Sequence, residues 1–459
     1  MGTDESRLTR TDCQDMARLA DHIDGARATP AWLHRLPGVA WIARWSKALG
    51  PGLITGAADD DPSGIVTYSI VGAQHGMALL WTAWVTWPLM AAVQMMCARI
   101  GLITGQGLGK VFKRKFPRSV VVAVCCALFV ANTVNIAADL SGMAAAGEMI
   151  FGVDATILVP LFGAAVACAM VYYRYERIAA ILKWLVLSLF AYVATAFLVH
   201  PHWGEVAKAT FLPALPQGAQ VWQSIVALLG TTISPYLFFW QASLEVEEAE
   251  ANGQKRLSRR TRVTRTRLLD RTVDVGTGGF LSNLIMFFII LTGALTLHQR
   301  GITDIQTSRQ AAEALAPLAG NFAAALYALA IVAVGLLAIP TLAGSAGYAF
   351  SEAFNWPHGL SKKFSEAHAF YGVILLSVAL GICSDFFNIN PMKFLFWSAV
   401  INGVLAPFLL CGILLIAGDK VIMKAQTSSM LNRVVVGITT MAMFAAALAM
   451  FYGIWNGDV

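Results

Sequence analysis

The fold of this chain is decided by eight consecutive residues near the start of its apolar region. They are Ala57-Ala58-Asp59-Asp60-Asp61-Pro62-Ser63-Gly64. The flanking sequence reads as a membrane-spanning helix, where each buried acidic side chain costs about 2.5–3.5 kcal/mol. Proline also interrupts the helix, because it lacks an amide donor and clashes with the preceding turn. A broken helix is tolerated at membrane depth only where its freed backbone groups line a cavity or meet a ligand, so the stretch predicts a cation pathway.

The composition is that of a polytopic membrane protein. Of the 459 residues, 57% are hydrophobic and only 13% are charged, and the mean hydropathy is +0.63. This is about half the charge of a soluble globular protein, so we expect one membrane domain whose surroundings are the lipid bilayer. The net charge of +6 suggests no nucleic-acid partner, because the basic residues gather in loops between apolar spans. No CxxC pair indicates a cofactor, and none is expected.

About eleven apolar spans are long enough to cross roughly 30 Å of hydrocarbon. They lie near residues 49–71, 77–100, 119–149, 155–172, 178–200, 221–249, 279–297, 322–350, 370–383, 392–416 and 434–455. The predicted divisions are an amino-terminal segment at 1–45, spans one to five at 46–200, spans six to ten at 219–417, and the eleventh span at 430–456. Because Lys and Arg accumulate in alternate loops, we predict a plasma (inner) membrane protein with its amino terminus in the cytoplasm and its carboxyl terminus outside.

A second break interrupts the sixth span. It reads Thr231-Thr232-Ile233-Ser234-Pro235-Tyr236. Transporters built from inverted repeats of five helices place their discontinuous helices five spans apart, with the substrate at the midplane. Asp61 and Ser234 also suit the N-cap before an N1 proline, which is a structural role. The half-helices ending near Ala58 and Thr231 present free carbonyls at the negative ends of their dipoles, and these carbonyls with the Asp61 carboxylate make a hard oxygen site.

These residues resemble the Nramp family of divalent metal transporters, and more closely its Nramp-related magnesium transporter branch. The family motifs Asp-Pro-Gly-Asn and Met-Pro-His stand here as Asp61-Pro62-Ser63-Gly64 and Ser234-Pro235-Tyr236. The resemblance covers nearly the whole chain. It implies an all-α polytopic membrane protein of the leucine-transporter type, with two inverted five-helix repeats, broken helices 1 and 6, and an eleventh helix.

The resemblance implies a metal site at the two breaks. Asp61 matches the metal-binding aspartate, and the carbonyls of Ala58 and Thr231 match backbone ligands. Three departures each remove a ligand or shrink a side chain: Gly64 replaces an asparagine, Ser234 a methionine, and Ala399 in Ser398-Ala399-Val400 a glutamine. Thioether ligands favour softer metals, whereas Mg²⁺ keeps several waters and binds through one or two carboxylates. The expected substrate is therefore hydrated Mg²⁺, with Mn²⁺ as a further candidate and with Asp59 and Asp60 as outer-shell or vestibule groups.

Proton coupling is not expected to be obligatory. The family's sixth-helix histidine is Tyr236 here, and of its third-helix Asp-x-x-Glu pair only Asp139 remains. Asp139 could instead be a polar residue hydrogen-bonded to Asn132, Asn135 or a neighbouring helix. Asn402, one turn after Ser398, could face the cavity or bond another helix. A membrane potential of 100 mV gives a divalent ion roughly 4.6 kcal/mol, on the order of a thousandfold accumulation, so an uncoupled carrier suffices.

Two other functions fit the same fold. Proton-coupled import of Mn²⁺ or Fe²⁺ could use Asp139 with one of the extra aspartates. An organic-cation or amino-acid carrier could use an aromatic pocket, for which the candidates are Tyr236, Phe238, Phe239 and Trp240. An enzyme is not expected, since no nucleophile–base pair or catalytic metal spacing appears, and a monomer is sufficient for transport. The acidic run at residues 245–250 reads either as a solvated helix end or as a vestibule for cations.

Overall fold

The described part of the chain is built from helices. The computed structural model describes residues 60–172, 187–216, 218–251, 263, 265–387, 389–424 and 426–457. The first eight α-helices are α1 (Pro62–His75), α2 (Trp81–Thr104), α3 (Leu108–Lys115), α4 (Arg118–Phe151), α5 (Ala155–Tyr172), α6 (Phe190–Leu198), α7 (Trp203–Phe211) and α8 (Ala219–Thr232). The next eight are α9 (Pro235–Ala251), α10 (Arg265–Thr296), α11 (Ser308–Ala312), α12 (Ala316–Ala319), α13 (Ala323–Phe354), α14 (His368–Cys383), α15 (Pro391–Ala417) and α16 (Met430–Trp455).

The predicted spans each have a helical counterpart within the described ranges. Eight helical stretches are long and apolar enough to cross a membrane, and α8 with α9 counts as one of them. Two shorter apolar stretches, Leu187–Leu198 and His368–Cys383, match the fifth and ninth spans, and α1 is the second half of the first. The amino-terminal segment, Ala58 and Asp59 lie outside the described residues, and the predicted divisions of the chain stay a prediction.

The seventh span extends further than hydropathy predicted. We expected it near 279–297, whereas α10 begins at Arg265. The early turns of α10 are charged, so a prediction based on runs of apolar residues does not include them. Arg271 in these turns donates to Glu248 of α9 at 2.7 Å, which gives the charged part of the helix a partner. The apolar pattern therefore marked only the part of α10 that crosses hydrocarbon.

Both predicted breaks begin a helix with proline. Asp61 is the N-cap of α1, with extended backbone angles of φ −76° and ψ 170°, and Pro62 occupies the first turn. The sixth span is broken between Thr232 and Pro235, because Ile233 leaves helical geometry at φ −119° and ψ 60°. Proline tolerates the first helical turn, where its missing amide would have no partner anyway. Pro62 thus begins α1 and Pro235 begins α9, while the predicted first half of span one lies outside the described residues.

The helices pack in two groups, with α15 lying between the breaks. In one group α4 packs against α13, α14 and α5, and in the other α1 and α2 pack against α10, with α2 also against α9. Helix α15 contacts α1, α4 and α8. Its contact with α8 is made by the backbones, because a Cβ atom on Gly230 would overlap the Ala399 carbonyl oxygen and one on Gly403 would overlap the Val226 carbonyl oxygen. Glycine at these positions lets the two helices approach closely.

Candidate metal centre

Asp61 lies at the start of α1 with its carboxylate turned into the protein. Its side chain caps the helix, since Oδ1 accepts hydrogen bonds from the Gly64 amide at 2.7 Å and from the Ser63 hydroxyl at 2.8 Å. Oδ2 accepts from Asn135 Nδ2 at 2.9 Å, and the residue is 2% exposed. A carboxylate offers about four acceptor positions, so three donors leave room for a further ligand.

Asn135 of α4 joins Asp61 to Asp139. Its Nδ2 also donates to Asp139 Oδ2 at 3.1 Å, so the two carboxylate oxygens lie within about 6 Å of each other. Its Oδ1 accepts from Asn402 Nδ2 of α15 at 2.9 Å. All four side chains are buried. The structure therefore brings Asp61, Asp139 and Asn402 together, and the predicted bond between Asp139 and Asn135 is present.

Asp60 turns toward a different helix. Its Oδ1 accepts a hydrogen bond from the Ser282 hydroxyl of α10 at 3.1 Å, and the residue is 2% exposed. The sequence reasoning missed Ser282, because one serine inside an apolar span carries no signal of its own. Asn135 was noted only as a polar residue of the third span. What connects these residues to the aspartates is the packing of α4 and α10 around α1.

Three buried carboxyl groups are the main electrostatic feature of this region. Asp60, Asp61 and Asp139 are each 2% exposed or less. Within the described ranges no lysine, arginine or histidine forms an ion pair with them; the ion pairs found there involve Asp419 and the cluster around Arg271. An uncompensated buried charge is costly, so this arrangement calls for a bound cation or a proton.

At the second break the serine hydroxyl forms hydrogen bonds with nearby backbone carbonyls. The Ser234 hydroxyl donates to the Gly230 carbonyl at 2.9 Å and to the Thr231 carbonyl at 2.7 Å. The Thr231 carbonyl, predicted as a metal ligand, thus accepts this hydroxyl in the structure. The Tyr236 carbonyl accepts from the Ser345 hydroxyl at 2.8 Å. Helix α8, which ends at the second break, packs against α1, which begins at the first.

Gly64 and Ala399, which stand where the family has an asparagine and a glutamine, lie in different places. Gly64 is beside the carboxylate of Asp61, where an added Cβ would be 3.3 Å from Oδ1. Ala399 is buried where α15 meets α8, with its carbonyl against Gly230. Gly64 therefore packs closely against Asp61 and the ring of Tyr68, whereas the backbone of Ala399 serves the contact between α8 and α15.

The acidic run after the second break is partly buried, so the interpretation as a solvated helix end is wrong for Glu245. This residue is fully buried and accepts from Gln241 Nε2 at 2.9 Å. Arg271 of α10 reaches Glu245 at 3.5 Å, Glu248 at 2.7 Å and Asp274 at 3.1 Å. The charged first turns of α10 cover this side of α9. The sequence reasoning missed them because it began the seventh span only at the apolar part of the helix.

The aromatic residues after the second break pack against other helices. The ring centroid of Phe239 lies 6.0 Å from that of Phe112 in α3, and the centroid of Trp240 lies 6.0 Å from that of Tyr348 in α13. Phe238, Phe239 and Trp240 are all buried. These contacts assign Phe239 and Trp240 to helix packing, which argues against an aromatic pocket for an organic cation.

Comparison with known proteins agrees with the fold and with the resemblance in the sequence. Residues 52–453 match the family described as natural resistance-associated macrophage protein-like, or Nramp. The chain is 27% identical to the divalent metal cation transporter MntH of Chromohalobacter salexigens, over 65% of this chain and 69% of that protein. It is 28% identical to MntH of Yersinia pestis, over 64% of this chain and 71% of that protein.

The solved structures show the same architecture. The crystal structure of the Eremococcus coleocola manganese transporter, in complex with an aromatic bis-isothiourea substituted compound, aligns with a TM-score of 0.72. It is 17% identical in sequence, and the alignment covers 89% of this chain and 86% of that one. The fold is thus the all-α, leucine-transporter type that the sequence predicted, while the magnesium branch stays a prediction. Because the family match spans nearly the whole chain, this protein belongs to the Nramp family of divalent metal transporters, and it is a transporter rather than an enzyme.

Proposed function

We propose that this protein imports divalent metal cations, and above all hydrated Mg²⁺, by alternating access without obligatory proton coupling. The observation that carries the proposal is the set of three buried carboxyl groups of Asp60, Asp61 and Asp139, which have no cationic partner among the described side chains. A divalent cation offsets the charges of two ionised carboxylates. Asp61 is the proposed close ligand, with Asp60 and Asp59 as outer groups and the Ala58 and Thr231 carbonyls as backbone ligands.

The residues at the breaks favour a hard cation. Ser234 stands where the family carries a methionine, and its hydroxyl oxygen cannot offer the soft coordination that a thioether gives. Gly64 stands where the family carries an amide ligand and offers no side-chain ligand of its own. Mg²⁺ dehydrates reluctantly and usually keeps several of its waters. A site that offers oxygen and no thioether therefore supports Mg²⁺ over a stripped transition metal, with Mn²⁺ as a second substrate.

The membrane potential is a sufficient driving force for this cation. About 4.6 kcal/mol is available to a divalent ion at 100 mV. Tyr236 stands where the family has an ionisable histidine, and it is buried. The proposal takes the plasma membrane as the site of action, with the amino terminus in the cytoplasm and the carboxyl terminus outside, and requires no partner beyond the ion and the bilayer.

Proton-coupled import of Mn²⁺ or Fe²⁺ is the second candidate. One observation favours it: Asp139 shares a hydrogen-bond donor with Asp61, so a proton on Asp139 would change the charge next to the metal ligand. In that case the metal and proton would move together, as chains of ionisable groups allow in other transporters.

A flux assay separates the two candidates. The purified protein is reconstituted into liposomes, and the uptake of Mg²⁺, Mn²⁺ and Ca²⁺ is measured with and without a pH gradient, while an internal dye reports acidification. We expect potential-driven Mg²⁺ uptake that a pH gradient does not change and that does not acidify the interior. Mn²⁺ uptake accompanied by acidification, with no Mg²⁺ uptake, would establish the second candidate instead.

A further inference from the structure

The hydrogen bonds at Asp61 continue through two asparagines to α15. Asn135 Nδ2 donates to Asp61 Oδ2 at 2.9 Å, and Asn135 Oδ1 accepts from Asn402 Nδ2 at 2.9 Å. Neither asparagine is more than 1% exposed. One continuous chain of side-chain hydrogen bonds therefore joins α1, α4 and α15.

The carboxylates fix the direction of this chain. An ionised carboxylate only accepts hydrogen bonds, so the amide nitrogen of Asn135 must face Asp61 and Asp139. Its carbonyl oxygen is then left for Asn402, whose own nitrogen must face that oxygen. The remaining Asn402 oxygen is buried without a hydrogen-bond partner in the described part of the chain. The orientation of Asn402 thus depends on Asp61, although the two residues are on different helices.

We propose that Asn135 is a positioning residue that couples metal occupancy of Asp61 to the contact between α4 and α15, with Asn402 as its partner. This inference rests on the proposed function, because it takes Asp61 as a ligand of the transported ion. A cation on the Asp61 carboxylate competes with the Asn135 amide for the lone pairs of Oδ2. As that bond weakens, the Asn135 amide is free to turn, and its carbonyl no longer holds Asn402.

Helix α15 is well placed to transmit this change. It packs against α1 and α8, the half-helices next to the two breaks, as well as against α4. A ligand shifts a conformational equilibrium only by interacting differently with the two states. Here the difference is the bond between Asn135 and Asn402, which is intact without the ion and released with it. We call this bond the α4–α15 latch.

A latch and a merely structural contact predict different kinetics. Loss of a structural contact destabilises the fold and weakens ion binding and transport together. Loss of the latch leaves Asp61 and its bond to Asn135 in place, so the ion still binds, but binding no longer drives the movement of α15. A bond that the ion must break also opposes ion binding, so its loss leaves the affinity unchanged or raises it. The signature is a fall in maximal transport rate without any loss of affinity.

The test compares Asn402→Ala with Ser398→Ala, one turn earlier on the same helix. The Ser398 hydroxyl donates to the Leu395 carbonyl of its own helix at 2.8 Å and makes a matched control. Mg²⁺ affinity is measured by calorimetry on the purified protein and maximal uptake by flux into liposomes. For Asn402→Ala we expect an affinity no lower than that of wild type and a maximal rate at least fivefold lower, with both unchanged in Ser398→Ala. A wild-type rate, or equal losses in rate and affinity, would overturn the latch.

Two further variants complete the test. If Asn402→Ala does not give folded protein, Asn402→Leu keeps the branching and the number of heavy atoms of the side chain and is judged by the same criteria. Because Asn402 acts through Asn135, the double variant Asn135→Ala with Asn402→Ala should transport at the rate of Asn135→Ala alone, within twofold; multiplied losses would contradict the proposal. A wild-type protein that does not take up Mg²⁺ refutes the proposed substrate, and the same comparison with Mn²⁺ then tests the latch.

Discussion

Asp61 and Asp139 share one hydrogen-bond donor, the side-chain nitrogen of Asn135, at 2.9 and 3.1 Å. Two carboxylates this close repel each other when both are ionised, and a single neutral amide does not offset their charge. With Asp60 nearby in the chain, the region is arranged to receive positive charge. Residues on α1, α4, α10 and α15 all contribute to this arrangement, which makes it a property of the packed helices and not of the acidic stretch alone.

Ser234→Met should shift the preference of the site toward softer metals. A thioether at this position restores the family's soft ligand, so we expect Cd²⁺ and Mn²⁺ affinity to rise at least fivefold relative to Mg²⁺. Calorimetric titration of each ion measures this directly. Ser377→Ala on α14, whose hydroxyl donates to the Ile374 carbonyl of its own helix at 2.8 Å, is the control and should leave the order of affinities unchanged. An unchanged Cd²⁺ affinity in Ser234→Met would place Ser234 away from the metal.

Gly230→Ala should disturb the contact between α8 and α15. The added methyl group would overlap the Ala399 carbonyl oxygen, so the helices must separate. Overpacking of this kind costs about 1–3 kcal/mol, and we expect a lower thermal midpoint and slower transport. Gly437→Ala on α16 is the matched control, because a Cβ there meets no atom within 4 Å. Equal thermal midpoints for the two variants would mean that α8 and α15 do not pack as described.

Arg271→Ala should destabilise the protein far more than Lys115→Ala. Arg271 is the ion-pair partner of the fully buried Glu245, and removing one member of a buried pair costs about 3–5 kcal/mol. Lys115 pairs with Asp419 at 2.6 Å nearer the surface, where such pairs contribute about 0–1 kcal/mol. Thermal unfolding in detergent measures both. Similar midpoints for the two variants would show that Glu245 gains little from Arg271.

The sequence predicted more of the fold than of the site. Pro62 and Pro235 marked both breaks because proline interrupts a helix at its own position in the chain. Long apolar spans marked the helices because a helix that crosses the hydrocarbon core needs about 20 predominantly apolar residues. Ser282, Asn135 and the charged start of α10 could not be assigned in the same way. Their roles depend on which helix faces α1 or α9, and that is set by packing between distant parts of the chain.

Departures from the family motifs were easier to identify from the sequence than contacts between helices. The family motifs pointed to Ser234, Gly64 and Ala399 as places where a side chain is missing, and this needed only the order of residues. The structure then separated the three: Gly64 lies beside Asp61, Ser234 bonds the carbonyls of its own half-helix, and Ala399 packs on Gly230. Geometry of this kind has no counterpart in the sequence.

The most direct measurement of the central claim is Mg²⁺ uptake into liposomes by Asp61→Asn, compared with Asp154→Asn. Both changes replace a carboxylate by an amide of the same shape, but Asp154 is an exposed residue before α5 that bonds Thr156. If Asp61 is the close ligand of the transported ion, Asp61→Asn should lower Mg²⁺ uptake at least tenfold while Asp154→Asn keeps it within twofold of wild type. Wild-type uptake by folded Asp61→Asn would contradict the account.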